Sequence, residues 1–326
     1  MPTIRNGLRS LSAAILFFCF LTGPAASGEV RLGLGFDPFY LPFYVAQELG
    51  YFQKAGLRVQ VIYFAAGGQA LDAAVQGKVE LTGATEWNIL PARAKGYRLP
   101  ILAVVARAPK LIKIVARRQL LSIYQLPGKR VGVQRTPATR YFYSRVMDAV
   151  GLAKGRRRPL SIPGPRLTAA LKMGRLDAFI SLEPWPSRAL ESLKGKVRVL
   201  SLPRAIEIYL PSLYLVSTGL VLEQDPKAVT LFLAGLIRAR QFIRKKPDSA
   251  ARILARIISL KPVDVQEMLT SFSYPVRLDG RAERQVRNIA DWLKEKKGLK
   301  IDGSTANFFA PEFLARVDPG SVTMGR

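Results

Sequence analysis

The sequence predicts an α/β protein of two lobes, each a mostly parallel sheet flanked by helices. Three observations carry that expectation. The chain has 326 residues, a length that favours two lobes over a single core. Residues 30–106 alternate strand-like and helix-like runs with short connections, the βαβαβ pattern of a mostly parallel sheet covered on both faces. A segment also repeats: Ala73–Glu86 and Ala170–Glu183 align at a constant offset of 97 residues. Each copy reads as a helix end, a Gly stop (Gly77, Gly174), a basic residue (Lys78, Arg175), an acid (Glu80, Asp177), and a short buried strand. Each then delivers a Glu, Glu86 or Glu183, at the C-terminal end of that strand. Open α/β sheets bind ligands at that end, so two related lobes predict a shared cleft.

The elements follow in order. Residues 1–28 read as a secretory signal peptide, with Arg5 and Arg9 before an apolar run, Leu11 to Leu21, and small residues at 24–28. That run is about eleven residues, short of the roughly 20 that span a bilayer; a retained anchor is the alternative. Cys19, the only cysteine, follows Phe18, where a lipidation site wants a small residue, so it belongs to the apolar run. The first lobe is expected over 29–118: strand Val30–Leu34, helix Leu41–Tyr51, strand Leu57–Tyr63, helix Gln69–Val75, strand Val79–Thr82, helix Trp87–Ala94 and strand Ile101–Ala106.

The second lobe is expected over 119–211. Val131–Val133 is a strand, and Thr136-Pro137 places Pro at the first position of a helix that stops at Gly151. A strand near Leu160–Ile162, a helix Arg166–Met173, a strand Asp177–Ser181, a helix Trp185–Leu193 and a strand Val197–Leu200 complete it. Residues 212–326 return to the first lobe through Ser212–Thr218. They then turn helical over 226–244, 247–258, 262–272 and 280–297.

Composition narrows the chemistry. There is no His, and beyond residue 28 no Cys. That removes most transition-metal, thiol and Ser-His-Asp catalysis. Fifty Lys and Arg against 23 Asp and Glu give a net charge of +27, which raises the question of nucleic acid. The positive charge is spread, however. Only Lys154–Arg158 and Arg244–Lys246 are dense, and neither is interleaved with aromatics. Attraction to an anionic membrane surface, adaptation to an unusual medium, or a plain solvated surface fits better.

The stretch Tyr40 to Val59 resembles the opening signature of periplasmic solute-binding proteins that serve ABC importers of nitrate, sulfonates such as taurine, and thiamine-related pyrimidines. The similarity continues through Gly67-Gly68, Ala74 with Gly77, Leu126 to Val133, Gly174 to Ala178 and Glu183-Pro184-Trp185, and spans roughly residues 30 to 245. The resemblance implies a two-lobed periplasmic-binding-protein fold of type II, with two crossover strands and a helical C-terminal region. It implies a small-molecule solute held in the cleft, hinge closure on binding, and recognition of the closed form by a membrane permease. A periplasmic monomer with no cofactor and no nucleic-acid partner is expected.

The candidate site residues each have a bland alternative. Gly67, Gly68 and Gln69 open a helix whose free amides suit an anionic or carbonyl oxygen; otherwise they form a tight turn. Thr136, Ala138 and Thr139 are the matching start in the second lobe, with helix capping as the alternative. Thr85 precedes Glu86. Glu86 and Glu183, acceptor-only when ionised, suit a ligand with N–H, O–H or cationic groups; otherwise each caps a helix or pairs with Arg. If both faced the cleft, a simple anion such as nitrate would need Arg to offset them. Trp87 and Trp185 suit stacking or a cation, or packing within their own lobes. Phe39 and Tyr40 lie in the loop after the first strand, and Tyr209 and Tyr214 near the second crossover, where core packing competes.

Within the resemblance, the pyrimidine-binding branch carries an Asp-Trp pair in the first strand and a His before the first helix. Here Gly33-Leu34 and Tyr40 stand at those places. A fungal branch makes the thiamine pyrimidine as an enzyme with His and Cys residues, which this chain lacks after residue 28. The expected function is therefore capture of a small polar organic solute, without catalysis. A ligand-sensing role beside a membrane sensor kinase is the alternative, and an enzyme on the same fold comes third.

Overall fold

The computed structural model describes residues 27–152, 159–202, 208–301 and 305–325. The proposed signal segment up to residue 26 and the basic run Lys154–Arg158 lie outside them. Strand β1 (Ser27–Leu34) leads into α1 (Leu41–Glu48) and α2 (Tyr51–Lys54). The sequence predicts a helix there that ends at Gly50, without the short α2 after it. Gly50 stands at φ 64°, a left-handed conformation that glycine takes without a Cβ penalty. Strand β2 (Leu57–Tyr63), α3 (Gly67–Val75), β3 (Leu81–Ala84), α4 (Glu86–Ala94) and β4 (Ile101–Arg107) follow.

Residues 108–111 then carry the chain across. Strand β5 (Ile112–Arg117) already belongs to the second sheet, where it pairs with later strands. The crossing therefore falls upstream of the expected 118/119 boundary. Next come β6 (Val131–Gln134), α5 (Pro137–Ala149), β7 (Leu160–Ile162), α6 (Gly164–Lys172), β8 (Ala178–Leu182), α7 (Trp185–Ser192) and β9 (Val197–Leu200). Strand β10 (Ser212–Ser217) returns to the first sheet.

The sheet orders are β2-β1-β3-β10-β4 and β7-β6-β8-β5-β9. Each sheet is one plan with a visitor: β10 runs antiparallel to both β3 and β4, and β5 antiparallel to both β8 and β9. The expectation of mostly parallel sheets holds for the direction of the home strands. The visitors make both sheets mixed. Local alternation does not mark them because both strands are largely buried on both faces.

The remainder is α8 (Gly219–Gln224), α9 (Pro226–Lys245), α10 (Pro247–Ile258), α11 (Pro262–Leu269), the short strand β11 (Leu278–Asp279), α12 (Gly280–Lys297), α13 (Pro311–Val317) and β12 (Val322–Thr323), which pairs with β11. Helix α9 lies over α1 and α2, where Phe52 and Phe232 stack at 4.4 Å. Asp279 caps α12 by accepting from the Ala282 amide, and its carboxylate takes both terminal nitrogens of Arg107 at 2.7 and 2.9 Å. Burial pushes the Asp279 carboxyl up, but Arg107 and the amide outweigh it and hold it below the usual range. That pair fixes the start of α12 to the end of β4. Helix α12 spans about 27 Å at 1.5 Å per residue, enough to carry its later turns to the second lobe.

The acids of the repeat are used alike in both lobes. The Arg31 amide donates to Glu80 at 2.7 Å while its guanidinium grips the same carboxylate. The Arg130 amide donates to Asp177 at 2.9 Å, and its guanidinium does so at 2.8 Å. Each clamp ties the edge of the third home strand to the first. The Arg130 hydrogen bond is the main reason that the Asp177 carboxyl is held down at about 2. A depressed folded pKa contributes stability that is complete above the unfolded value and lost as pH falls through the folded one. Asp177→Asn should therefore lower the melting temperature at pH 7. The gap from the parent should shrink as pH falls from about 4, the unfolded value, and close near pH 2. Melting curves recorded across that range check it.

Candidate binding cleft

Trp87, at the start of α4, follows the C-terminal end of β3. Tyr141, one turn into α5, follows the C-terminal end of β6. Their rings meet at 5.6 Å. The carboxyl ends of the two sheets thus face one another across a seam. Tyr209, on the second crossing, lies 5.7 Å from Trp87 and 5.8 Å from Tyr141. Trp292 of α12 lies 6.1 Å from Trp87 and 5.6 Å from Tyr141. Four of these five contacts are edge-to-face or close to it, the arrangement that ring quadrupoles favour, and the Trp87 indole N–H donates to the Tyr209 hydroxyl at 2.8 Å.

Glu86 sits behind this cluster with no exposed surface. Its Oε1 accepts from the Gln285 side-chain amide at 2.8 Å. Gln285 also donates to the Leu210 carbonyl at 2.8 Å and accepts from the Leu210 amide at 2.9 Å. One α12 side chain thus holds both the crossing segment and the carboxyl. Glu86 Oε2 has no hydrogen-bond partner of acceptable geometry. Burial pushes the Glu86 carboxyl up to about 8, although its own helix amide, Gln285 and the nearby Tyr209 hydroxyl all favour the charged form. Burial, and after it the nearby Glu86 carboxylate, push Tyr209 and Tyr214 well above the ordinary tyrosine range.

The expected residues divide into groups. Glu86, Trp87 and Tyr214 come together at the seam. Tyr40 and Gly67 meet elsewhere: the Tyr40 hydroxyl donates to the Gly83 carbonyl at 3.0 Å, and a Cβ at Gly67 would run into that hydroxyl. Tyr40 therefore plugs the space beside the α3 N-terminus. Gln69 reaches back to accept from the Ala66 amide, Thr85 bonds to Asn88, and Gly68 faces Asn88. Phe39 packs edge-on against Phe272 at 4.9 Å. Thr136 caps α5 by accepting from the Thr139 amide, buried Thr139 bonds back to the Gln134 carbonyl at 2.6 Å, and Ala138 packs on the main core.

The two repeat carboxylates do not converge. Glu183 accepts from the amide and hydroxyl of Ser187 and pairs with Lys113. Trp185 lies over Gly164 in its own lobe, with Arg188 above its ring at 5.0 Å. Sequence reasoning missed Tyr141, Gln285 and Trp292. The last two stand seven apart, one face of a helix, which is the only signal they offered. It also missed Phe36 and Tyr63, 53% and 44% exposed, which stack at 5.1 Å at the ends of β1 and β2.

The family described as NMT1/THI5 like matches residues 37–250. The bicarbonate-binding protein CmpA of Synechococcus sp. is 25% identical over 299 residues, covering 79% of this chain and 65% of that protein, so the chain spans less than two thirds of that relative. The formylaminopyrimidine-binding protein of Halalkalibacterium halodurans is 23% identical over 256 residues, covering 75% and 77%. Among solved structures, the periplasmic aliphatic sulphonate binding protein SsuA from Escherichia coli aligns with a TM-score of 0.70 at 19% identity, over 86% of this chain and 97% of that one. At that identity the likeness shows the fold.

The raised Glu86 carboxyl sets a pH dependence. With a folded pKa of about 8 against an ordinary 4.5, the native state binds more protons than the unfolded one between those values. Stability is then complete below about pH 4.5 and falls as pH rises toward 8. Glu86→Gln should flatten that slope while leaving the protein folded, as urea denaturation at stepped pH will show.

Proposed function

Because the chain belongs to the NMT1/THI5-like family, we propose that it is the extracytoplasmic solute-binding component of an ABC importer. Its fold is the two-lobed type II periplasmic-binding arrangement, with a strand exchanged in each direction. The observation that carries the reading is the seam: carboxyl ends of both sheets meet there, with aromatic faces from both lobes and a buried carboxyl behind them. A solute held at this seam touches both lobes and so favours the closed arrangement. A closed form that differs from the open one is what a membrane permease needs in order to recognise loaded protein.

The absence of His, and of Cys after residue 28, supports stoichiometric capture over turnover. Relatives named for bicarbonate, formylaminopyrimidine and aliphatic sulphonate support a small polar solute. No helix among the described residues is long and apolar enough to cross a membrane. Export to the periplasm belongs to this reading, supported by a structural neighbour described as periplasmic. The α3 and α5 N-termini, at Gly67–Gln69 and Thr136–Thr139, are secondary candidate contacts in this reading, the first of them with Tyr40 filling the space beside it.

A true solute should raise the melting temperature with its concentration, by about 2.7 kcal/mol of stability at a hundredfold excess over Kd. Native mass spectrometry after mixing with a metabolite extract identifies it. Trp87→Ala should weaken its binding by about tenfold or more, the scale of a buried aromatic anchor. If no solute in a broad screen shifts melting, the binding reading falls.

A further inference from the structure

The repeat places Glu86 and Glu183 at equivalent strand ends, yet only one has a cation. On the visiting strand of the second sheet, Lys113 stands opposite Ser181 and pairs with Glu183. On the visiting strand of the first sheet, the position opposite the equivalent Ala84 is Tyr214. Glu86 thus has a tyrosine where its counterpart has a lysine. It is also the more deeply buried of the two, and the one that keeps an oxygen without a partner.

The nearby guanidiniums are committed elsewhere. Arg107 acts on Tyr214 but holds Asp279, and Arg145 acts on Tyr141 but pairs with Asp148 at 3.2 Å. Asp148 and Asp291 both act on Tyr141 from the rim, where Asp291 faces Lys294 at 3.8 Å. Among the described residues, two buried side-chain polar atoms lack a partner, Glu86 Oε2 and Trp292 Nε1. Both belong to this seam. Between them stand the faces of Trp87, Tyr141, Tyr209 and Trp292, set nearly at right angles to one another. The rings are in edge-to-face or tilted contact at 5.6 to 6.1 Å, a closed aromatic cluster, so a cation reaches the carboxylate behind them only once the lobes part.

We propose that the seam takes a small organic cation, a protonated amine or amidinium, whose N–H groups donate to Glu86 Oε2 and whose body lies among Trp87, Tyr141, Tyr209 and Trp292. The ligand supplies the charge that Lys113 supplies in the other lobe. It enters as Tyr141, carried by the second lobe, parts from Trp87, carried by the first. The proposal rests on the solute-binding reading and names its ligand class, one opposite in charge to bicarbonate or a sulphonate. Free protein holds a proton on Glu86 at neutral pH, and the bound cation displaces that proton to solvent.

The test uses the full exported chain with benzylamine and benzamidine as cationic probes, and benzyl alcohol and benzenesulfonate as neutral and anionic isosteres. Titration calorimetry at pH 7 in buffers of different ionisation enthalpy reads proton release. The cations should bind, expel close to one proton each, and weaken by about tenfold per pH unit below pH 8. The isosteres should bind at least tenfold more weakly. Glu86→Gln, checked by its melting curve, should lose the cations. Proton release from the parent protein gives a second readout should that variant fail to fold. Failure of both cations to bind, or equal binding of benzyl alcohol, overturns the cation. Recovery of an anionic or neutral solute from the extract overturns it too, while leaving solute capture standing. No solute of any charge would overturn both.

Discussion

The exchange of one strand between the sheets is the constraint on which the rest of the structure depends. Strand β10 lies between β3 and β4, and β5 between β8 and β9. Neither sheet is complete without a strand from the far side of a crossing. The backbone therefore joins the lobes at two crossings, the arrangement on which a hinge can turn, while the aromatic seam and α12 add contacts between them. The same exchange sets the seam. Crossing segment 208–211 brings Tyr209 beside Trp87, and β10 brings Tyr214 beside Glu86.

Gln285 joins these parts. By bonding to both the amide and the carbonyl of Leu210 while donating to Glu86, it couples α12, a crossing and the β3–α4 junction. A half-buried amide that satisfies buried Glu86 and Leu210 at once is costly to disturb, because each freed group is left short of water. Helix α12 is in turn anchored through Arg107 and Asp279. The C-terminal third of the chain thus reaches the cleft through one helix, not through the packing of α9, α10 and α13 on the first lobe.

Much of this was legible in the sequence, and the failures have physical causes. The 97-residue repeat gave the strand ends and the paired acids, because a helix stop, a turn and a strand are local events. Its acids Glu80 and Asp177 turned out to be clamps for Arg31 and Arg130, which no spacing reveals, since the partners lie 49 and 47 residues away. Strands β5 and β10 carry no alternation tied to their neighbours. Their partners are set by topology. Glu86 and Glu183 looked equivalent because a repeat reports backbone position. Their environments are written by the visiting strand, Tyr214 in one lobe and Lys113 in the other. Tyr141 and Trp292 were invisible as partners because 151 residues separate them along the chain.

Net charge and local charge also part company here. The chain carries +27, a balance that draws anions at long range. Exposed charges are screened over about 8 Å at physiological ionic strength. Spread along the surface, they steer encounters more than they set the sign of a dry pocket. At the seam the dielectric is low and few groups count. There the nearby guanidiniums of Arg107 and Arg145 already face Asp279 and Asp148, and the carboxyl of Glu86 stands without a cation of its own. In the proposed site, recognition follows the unpaired group, because a buried polar atom left without a partner costs more than a distant, screened field returns. The basic surface and an acid-centred cleft are then compatible: one acts through water at long range, the other in contact.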